Sequence, residues 1–67
     1  MRTWLKNLRL SKNLTQEKLA EMVGVHTSMI NKIELGNRTP SVKTAKDIAD
    51  VLGFDWILFF EKSRHTA

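Results

Sequence analysis

The sequence predicts an all-α protein. Its apolar residues recur at intervals of three and four rather than in alternation, and no stretch rich in β-branched residues is long enough to form a strand. Glycines and small polar residues fall where each helical pattern stops or starts. A chain of 67 residues with one continuous set of helices predicts a single domain over residues 1–62, followed by a frayed tail at 63–67.

The first two predicted helices are short and amphipathic. The first spans about Thr3 to Lys12. The second runs from about residue 16 to Val23, because Thr15 is a residue type that caps helix N-termini and Gly24 can adopt the left-handed conformation that ends a helix. The residues predicted to be buried on these helices are Trp4, Leu5, Leu8, Leu19, Ala20 and Val23. The basic residues left for solvent or a partner are Arg2, Lys6 and Lys12.

Three further helices follow the same pattern. One runs from about Thr27 to Leu35 and stops at Gly36; its inward residues are Ile30 and Ile33. The next begins after the cap residue Ser41 and spans 42–52, and its apolar stripe comprises Val42, Ala45, Ile48, Ala49 and Leu52. Asp55 caps a short last helix at about 56–61.

Composition limits the classes of function. The chain has no cysteine, and its two histidines, His26 and His65, lie too far apart in sequence for a local metal motif, so neither a metal nor a cofactor is expected. No apolar run approaches the roughly 20 residues of a membrane span, and the N-terminus lacks the apolar segment of a signal peptide, which together predict a cytoplasmic protein. No site for a small-molecule effector is expected.

Positive charge is concentrated in the N-terminal part of the chain. The formal net charge is +4, and residues 1–38 hold seven Lys or Arg against three Glu, whereas residues 39–67 hold four of each sign. Such a basic half indicates an anionic partner such as nucleic acid, although a solvated basic surface would explain the charge equally well.

The predicted helix at 27–35 has two chemically different sides. At 100° per residue its polar residues fall on one side, opposite Ile30 and Ile33. That polar side consists of Thr27, Ser28, Asn31 and Lys32. A solvated surface helix is the ordinary explanation for such a face, but it would favour long charged residues. Short hydrogen-bonding residues are poor to middling helix formers, and they can read the edges of bases.

Four segments, "LTQEKLA", "VGV", "INKIELG" and "TPSVKTAKDIADVLG", stand in an order and spacing that resemble the helix-turn-helix of the Cro and lambda-repressor (XRE-type) family of bacterial and phage DNA-binding proteins. The resemblance covers nearly the whole chain. It implies a compact five-helix bundle of the lambda-repressor-like type, with the helix-turn-helix at about residues 16–35. Its third helix would enter the major groove of a double-stranded DNA operator while the second crosses the phosphate backbone.

The resemblance also implies roles for individual residues. The base contacts would come from Thr27, Ser28, Asn31 and Lys32. The phosphate contacts would come from Gln16, His26, Asn37, Arg38 and Thr39. Arg9 and Glu34 occupy positions of a structural ion pair. Alternatives remain: Lys32 would serve nearly as well as a phosphate contact, Asn31 could touch only backbone, and His26 could cap the helix.

The segment "FDWILFFEK" departs from the family pattern, because Ile57 and Leu58 fill two places that are usually polar. A short helix that is apolar nearly all round must be buried, and a second copy of the chain would bury it. The residues predicted for this dimer interface are Trp56, Ile57, Leu58 and Phe60. The alternative is a larger monomer core in which Ile57 and Leu58 pack under the first helix.

These observations predict a sequence-specific transcriptional regulator, a repressor that binds a palindromic operator as a homodimer. A protein-interaction module, such as an antitoxin whose apolar C-terminal helix holds a partner and whose DNA binding is secondary, is the alternative. The sequence does not predict an enzyme, because it offers no paired carboxylates, nucleophile with a base, or phosphate-cradling glycine loop.

Overall fold

Residues 1–61 are described by a computed structural model, and within them the chain is helical and contains no strand. The elements are α1 (Thr3–Ser11), α2 (Gln16–Val23), α3 (Thr27–Leu35), α4 (Val42–Leu52) and a 3-10 helix (Trp56–Phe60). The prediction of an all-α protein is therefore confirmed for this part of the chain. The tail predicted at 63–67, with His65, lies outside the described residues, as does residue 62, the predicted end of the domain.

Side-chain caps begin α2 and α4 where the sequence predicted them. Thr15 Oγ1 accepts a hydrogen bond from the Lys18 backbone N–H at 3.0 Å, and Ser41 Oγ accepts one from the Thr44 backbone N–H at 3.2 Å. Each cap satisfies a backbone donor that has no partner inside its helix. These helix starts were predictable because a cap depends only on residues within one turn.

The prediction of five α-helices is corrected at the last helix. Residues 56–60 form a 3-10 helix that ends at Phe60, one residue before the predicted end. The Leu58 backbone N–H donates to the Asp55 carbonyl at 3.0 Å, which is the i to i+3 spacing of a 3-10 turn. Glu61 then leaves the helix with extended dihedrals, so the segment is too short to complete a second α-helical turn.

The buried core lies between the inner faces of all four α-helices and the 3-10 helix. Its fully buried large side chains are Leu5, Leu19, Ile30, Ile33, Ile48 and Leu52. Trp4, Leu8 and Val23, which the sequence predicted to be buried, are only partly covered and pack at the edge of this core. Val42 is half exposed, contrary to prediction, because it is the first residue of α4 and lies beyond the part of that helix that the core covers.

An aromatic cluster holds the 3-10 helix against α1. The ring centroids of Trp4, Phe54 and Phe59 lie 5.2–5.5 Å apart in edge-on and tilted arrangements, a favourable geometry for aromatic pairs. Phe59 is buried, so it anchors the segment while its neighbours on the 3-10 helix stay near the surface. None of the helices in residues 1–61 is long and apolar enough to span a bilayer.

Candidate nucleic-acid interface

The turn between α2 and α3 is built by a glycine and a valine. Gly24 takes a left-handed conformation with φ of 75°, and the Val25 backbone N–H closes the end of α2 by donating to the Ala20 carbonyl at 3.0 Å. Val25 is partly buried beside the core, which fixes the turn, and α3 begins two residues later. The two helices therefore meet through a short, anchored connection.

His26 caps α3. Its Nδ1 accepts a hydrogen bond from the Ser28 backbone N–H at 3.2 Å and lies 3.0 Å from Ser28 Oγ. A ring nitrogen that accepts carries no proton, so a neutral His26 has its proton on Nε2. Capping and donation to a phosphate, which were alternatives at the level of sequence, are thus compatible because they use different ring nitrogens.

The outer face of α3 is available to a ligand. Ile30 and Ile33 are buried in the core and fix the rotation of the helix, whereas Ser28, Asn31 and Lys32 are exposed. Thr27, the fourth residue predicted to contact bases, is partly buried. The structure therefore places three polar side chains together on one exposed face and the fourth at its margin.

A buried ion pair connects α1 to α3. Arg9 Nε and Nη2 donate to the two carboxylate oxygens of Glu34 at 2.6 and 3.2 Å, and the side chains are only 7% and 3% exposed. Arg9 Nη1 also donates to the Leu14 carbonyl at 2.8 Å, which ties the segment before α2 to the same pair. A bidentate, buried pair of this kind orients α3 rather than acting on a ligand.

Gln16, predicted to contact a phosphate, is engaged inside the protein. Its Nε2 donates to Glu34 Oε1 at 3.1 Å, and its Oε1 accepts from Asn31 Nδ2 at 3.4 Å. Neither contact was predictable from the sequence, because each joins residues on different helices, 18 and 15 positions apart. A phosphate contact by Gln16 therefore stays a prediction that has to accommodate these two bonds.

Asn37, Arg38 and Thr39, the loop predicted to contact phosphates, are exposed after the end of α3. Arg2 supports this loop: its Nη1 donates to the Ile33 carbonyl at 2.7 Å and to the Arg38 carbonyl at 3.1 Å. Burial lowers the pKa of Arg2 from its ordinary value. Arg2 was predicted to face solvent or a partner, and this structural role was not predictable because its carbonyl partners lie more than 30 positions away.

Comparison with known proteins identifies the family. A family model described as Helix-turn-helix matches residues 5–59, which is most of the chain and includes α2, α3 and the turn between them. The chain belongs to the helix-turn-helix family. The Cro and lambda-repressor resemblance is thereby confirmed at the level of this family.

Several relatives of this helix-turn-helix protein carry names of the same kind. One is named an uncharacterized HTH-type transcriptional regulator, YqaF, of Bacillus subtilis strain 168; it is 48% identical over 61 residues, which cover 91% of this chain and 80% of the relative. Another, from Methanothermobacter thermautotrophicus, is 44% identical over 57 residues, covering 85% of this chain and 83% of the relative. A third, from Archaeoglobus fulgidus, is 47% identical over 51 residues, covering 76% and 72%.

The surface predicted for dimerisation lies on the 3-10 helix of this helix-turn-helix protein. Ile57, Leu58 and Phe60 are 46%, 40% and 38% exposed, so the alternative in which Ile57 and Leu58 are buried under α1 does not describe this structure. Trp56 is partly buried, with its ring 5.9 Å from that of Phe60 and with Lys46 Nζ 5.1 Å from its centroid. We call Ile57, Leu58 and Phe60 the C-terminal apolar surface.

Within residues 1–61, no three His, Cys, Asp or Glu side chains are placed so that they could share an ion.

Proposed function

We propose that this protein is a sequence-specific regulator of transcription that binds double-stranded DNA, and that it represses by occupying a palindromic operator as a homodimer. The observation that carries the proposal is the exposed polar face of α3 on a helix that is fixed at both ends. His26 caps its first turn, and Arg2 donates to the Ile33 carbonyl in its last turn. Family membership and the names of the relatives support the same function.

In the proposed complex, α3 lies in the major groove, which is wide enough for an α-helix. Ser28, Asn31 and Lys32 would face base edges, with Thr27 at the margin of the contact. Lys32 would favour guanine, whose O6 and N7 both accept hydrogen bonds in that groove. Because the helix is already held by the core and by the Arg9–Glu34 pair, little order would have to be gained on binding.

Phosphate contacts would flank this face on both sides. His26 would donate through Nε2 near the start of α3, and Asn37, Arg38 and Thr39 would hold the backbone beyond its end. Gln16 begins α2, where free backbone N–H groups favour an anion. These contacts carry no base information but fix the position of α3 in the groove.

The homodimer is proposed from the C-terminal apolar surface. Two of its exposed side chains, Leu58 and Phe60, line a groove of about 370 Å³ between the start of α1 and the 3-10 helix, together with Trp4. A two-fold dimer through such a surface is self-complementary and presents two α3 helices. With the two α3 helices about 34 Å apart, the half-sites would lie one turn of DNA apart. The same apolar surface favours the second candidate, an antitoxin-like module that holds a different protein.

Binding to duplex DNA should depend steeply on salt, because cationic groups such as Arg38 would displace counterions from phosphates. We expect operator affinity in the range of about 10⁻⁸ to 10⁻¹¹ M at physiological ionic strength. The measurement is a titration of selected operator duplexes and of random duplexes from low to physiological salt. An affinity that does not change with salt, or that is equal for both duplexes, would refute the proposal.

Lys32→Ala and Arg38→Ala each remove one positive charge, but they should weaken DNA binding in different ways. Lys32→Ala should cost about 1–3 kcal/mol on the preferred operator and flatten the preference at one base pair per half-site, since Lys32 is proposed to contact guanine. Arg38→Ala should weaken all sequences alike and reduce the salt slope by about 1. A set of operators with each position varied in turn, measured at one fixed salt concentration, separates them. If Lys32→Ala weakens every duplex equally, the lysine contacts phosphate instead.

A further inference from the structure

A chain of hydrogen bonds runs from the buried ion pair to the exposed face of α3. Arg9 donates to Glu34 from two nitrogens, Gln16 Nε2 donates to Glu34 Oε1 at 3.1 Å, and Asn31 Nδ2 donates to Gln16 Oε1 at 3.4 Å. Exposure rises along it: Glu34 is buried, Gln16 is partly buried and Asn31 is exposed. We call these four side chains the Arg9–Asn31 chain. It connects a position that no ligand can reach to one that faces the proposed DNA.

The chemistry of each group fixes the direction of this chain. A carboxylate only accepts hydrogen bonds, and a guanidinium only donates them. Gln16 must therefore turn its NH₂ group toward Glu34, and its carbonyl oxygen points the other way. That oxygen can only accept, so Asn31 must turn its own NH₂ group toward Gln16. The Asn31 carbonyl oxygen, Oδ1, is thereby turned away from Gln16.

An amide that is free to rotate by 180° offers a base either a donor or an acceptor, so it discriminates poorly between bases. An amide whose orientation is fixed offers one arrangement of donor and acceptor. In the major groove, adenine presents the N6 amino group and cytosine the N4 amino group, whereas guanine O6 and thymine O4 only accept. An outward Oδ1 matches the first two bases and not the others.

We propose that the Arg9–Asn31 chain makes Asn31 an acceptor toward the DNA, so that it selects adenine or cytosine over guanine or thymine at one position per half-site. Asn31 is the reading residue, and Glu34 and Gln16 are positioning residues that act through it. The inference rests on the proposed function, because it requires α3 to lie in the major groove. It adds the identity of the preferred base and the buried groups that determine it.

Glu34→Gln is the direct disruption, since a neutral amide can donate or accept and no longer dictates how Gln16 turns. That change leaves Arg9 facing an uncharged partner in a buried site and could unfold the protein. Gln16→Met interrupts the chain one step further out, keeps the side-chain length and leaves the Arg9–Glu34 pair intact. Asn37→Ala is the matched control, because it removes an exposed amide that is proposed to contact phosphate.

The experiment selects duplexes from a random pool with the wild type, Asn31→Ala, Gln16→Met and Asn37→Ala. Asn31→Ala identifies the base pair that Asn31 contacts. There the wild type should prefer adenine or cytosine, and Gln16→Met should lower that preference by about two- to tenfold, as expected for one hydrogen bond. Asn37→Ala should weaken binding at every position alike and leave the preference unchanged. A wild-type preference for guanine or thymine there, or a Gln16→Met profile identical to that of Asn37→Ala, would overturn the inference.

A measurement without DNA separates this inference from the proposed function. In the free protein, the side-chain NH₂ resonances of Asn31 should shift in Gln16→Met, whereas those of Asn37 should not. Unmoved Asn31 resonances would show that Gln16 does not hold the amide, whatever the DNA results are. Suppose that the wild type enriches no sequence while the Asn31 resonances do shift. The hydrogen bonds of the Arg9–Asn31 chain are then present, but the proposed function is wrong, and so is base selection by Asn31.

Discussion

Arg9→Ala is expected to lower the free energy of unfolding by about 3–5 kcal/mol, because it leaves the Glu34 carboxylate buried without its cation. It also removes the donor that binds the Leu14 carbonyl before α2. For a domain of this size, total stability is roughly 3–10 kcal/mol, so the variant should lose a large fraction of it and unfold at a much lower urea concentration. Any loss of DNA binding would then follow from loss of stability.

The matched control for this prediction is an exposed ion pair. Lys43 Nζ lies 2.8 Å from Asp47 Oδ2 on the outside of α4, almost as short a contact as the buried pair. Lys43→Ala should leave the denaturation midpoint nearly unchanged, because water screens exposed pairs. Urea denaturation followed by circular dichroism compares the two variants. Equal midpoints for Arg9→Ala and Lys43→Ala would show that burial of the first pair has no consequence for stability.

Replacing both members of the buried pair tests why Arg9→Ala lowers the free energy of unfolding. If the cost comes from the unpaired carboxylate, then Arg9→Met combined with Glu34→Leu should restore much of the lost stability, since no buried charge remains. The double variant should nevertheless lose the base preference at the Asn31 position, because Gln16 no longer has a carboxylate to orient it. The double variant would then be stable but would lack the base preference.

Features set within one helical turn were predictable from the sequence. Thr15 and Ser41 act as caps and Gly24 ends α2 because each depends on its immediate neighbours. The outward face of α3 followed from helical periodicity, since Ile30 and Ile33 could not both be buried in any other rotation. Local geometry thus supplied the helix limits and the outward polar face of α3, whereas the helix-turn-helix and the base-contact roles were predicted from the family resemblance.

Features that depend on distant segments were not predictable in the same way. Arg2 binds carbonyls at the end of α3, and Gln16 joins Glu34 to Asn31, yet nothing near these residues in the sequence indicates such partners. The fifth predicted α-helix became a 3-10 helix because Phe59 anchors it while Glu61 turns away. In each case the outcome was decided by packing between elements, which single-sequence periodicity does not contain.

The C-terminal apolar surface leads to the second large expected effect. Leu58→Glu should raise the dissociation constant of the proposed homodimer at least about a hundredfold, because a two-fold interface would bury the new carboxylate twice at a cost of several kcal/mol. Binding to a two-half-site operator should weaken with it, since the two α3 helices would no longer be linked. Leu58 is 40% exposed in the monomer, so the helices themselves should persist.

Leu10→Glu is the matched control for this variant, because Leu10 is a half-exposed leucine on α1 outside the C-terminal apolar surface. Sedimentation of the purified protein gives the association state, and circular dichroism gives the helix content. A Leu58→Glu dimer as tight as that of Leu10→Glu would exclude this surface as the interface. Loss of helicity in Leu58→Glu alone would place Leu58 in the monomer core. A purified wild type that stays monomeric would favour the antitoxin-like alternative, in which the same apolar residues bind a different protein.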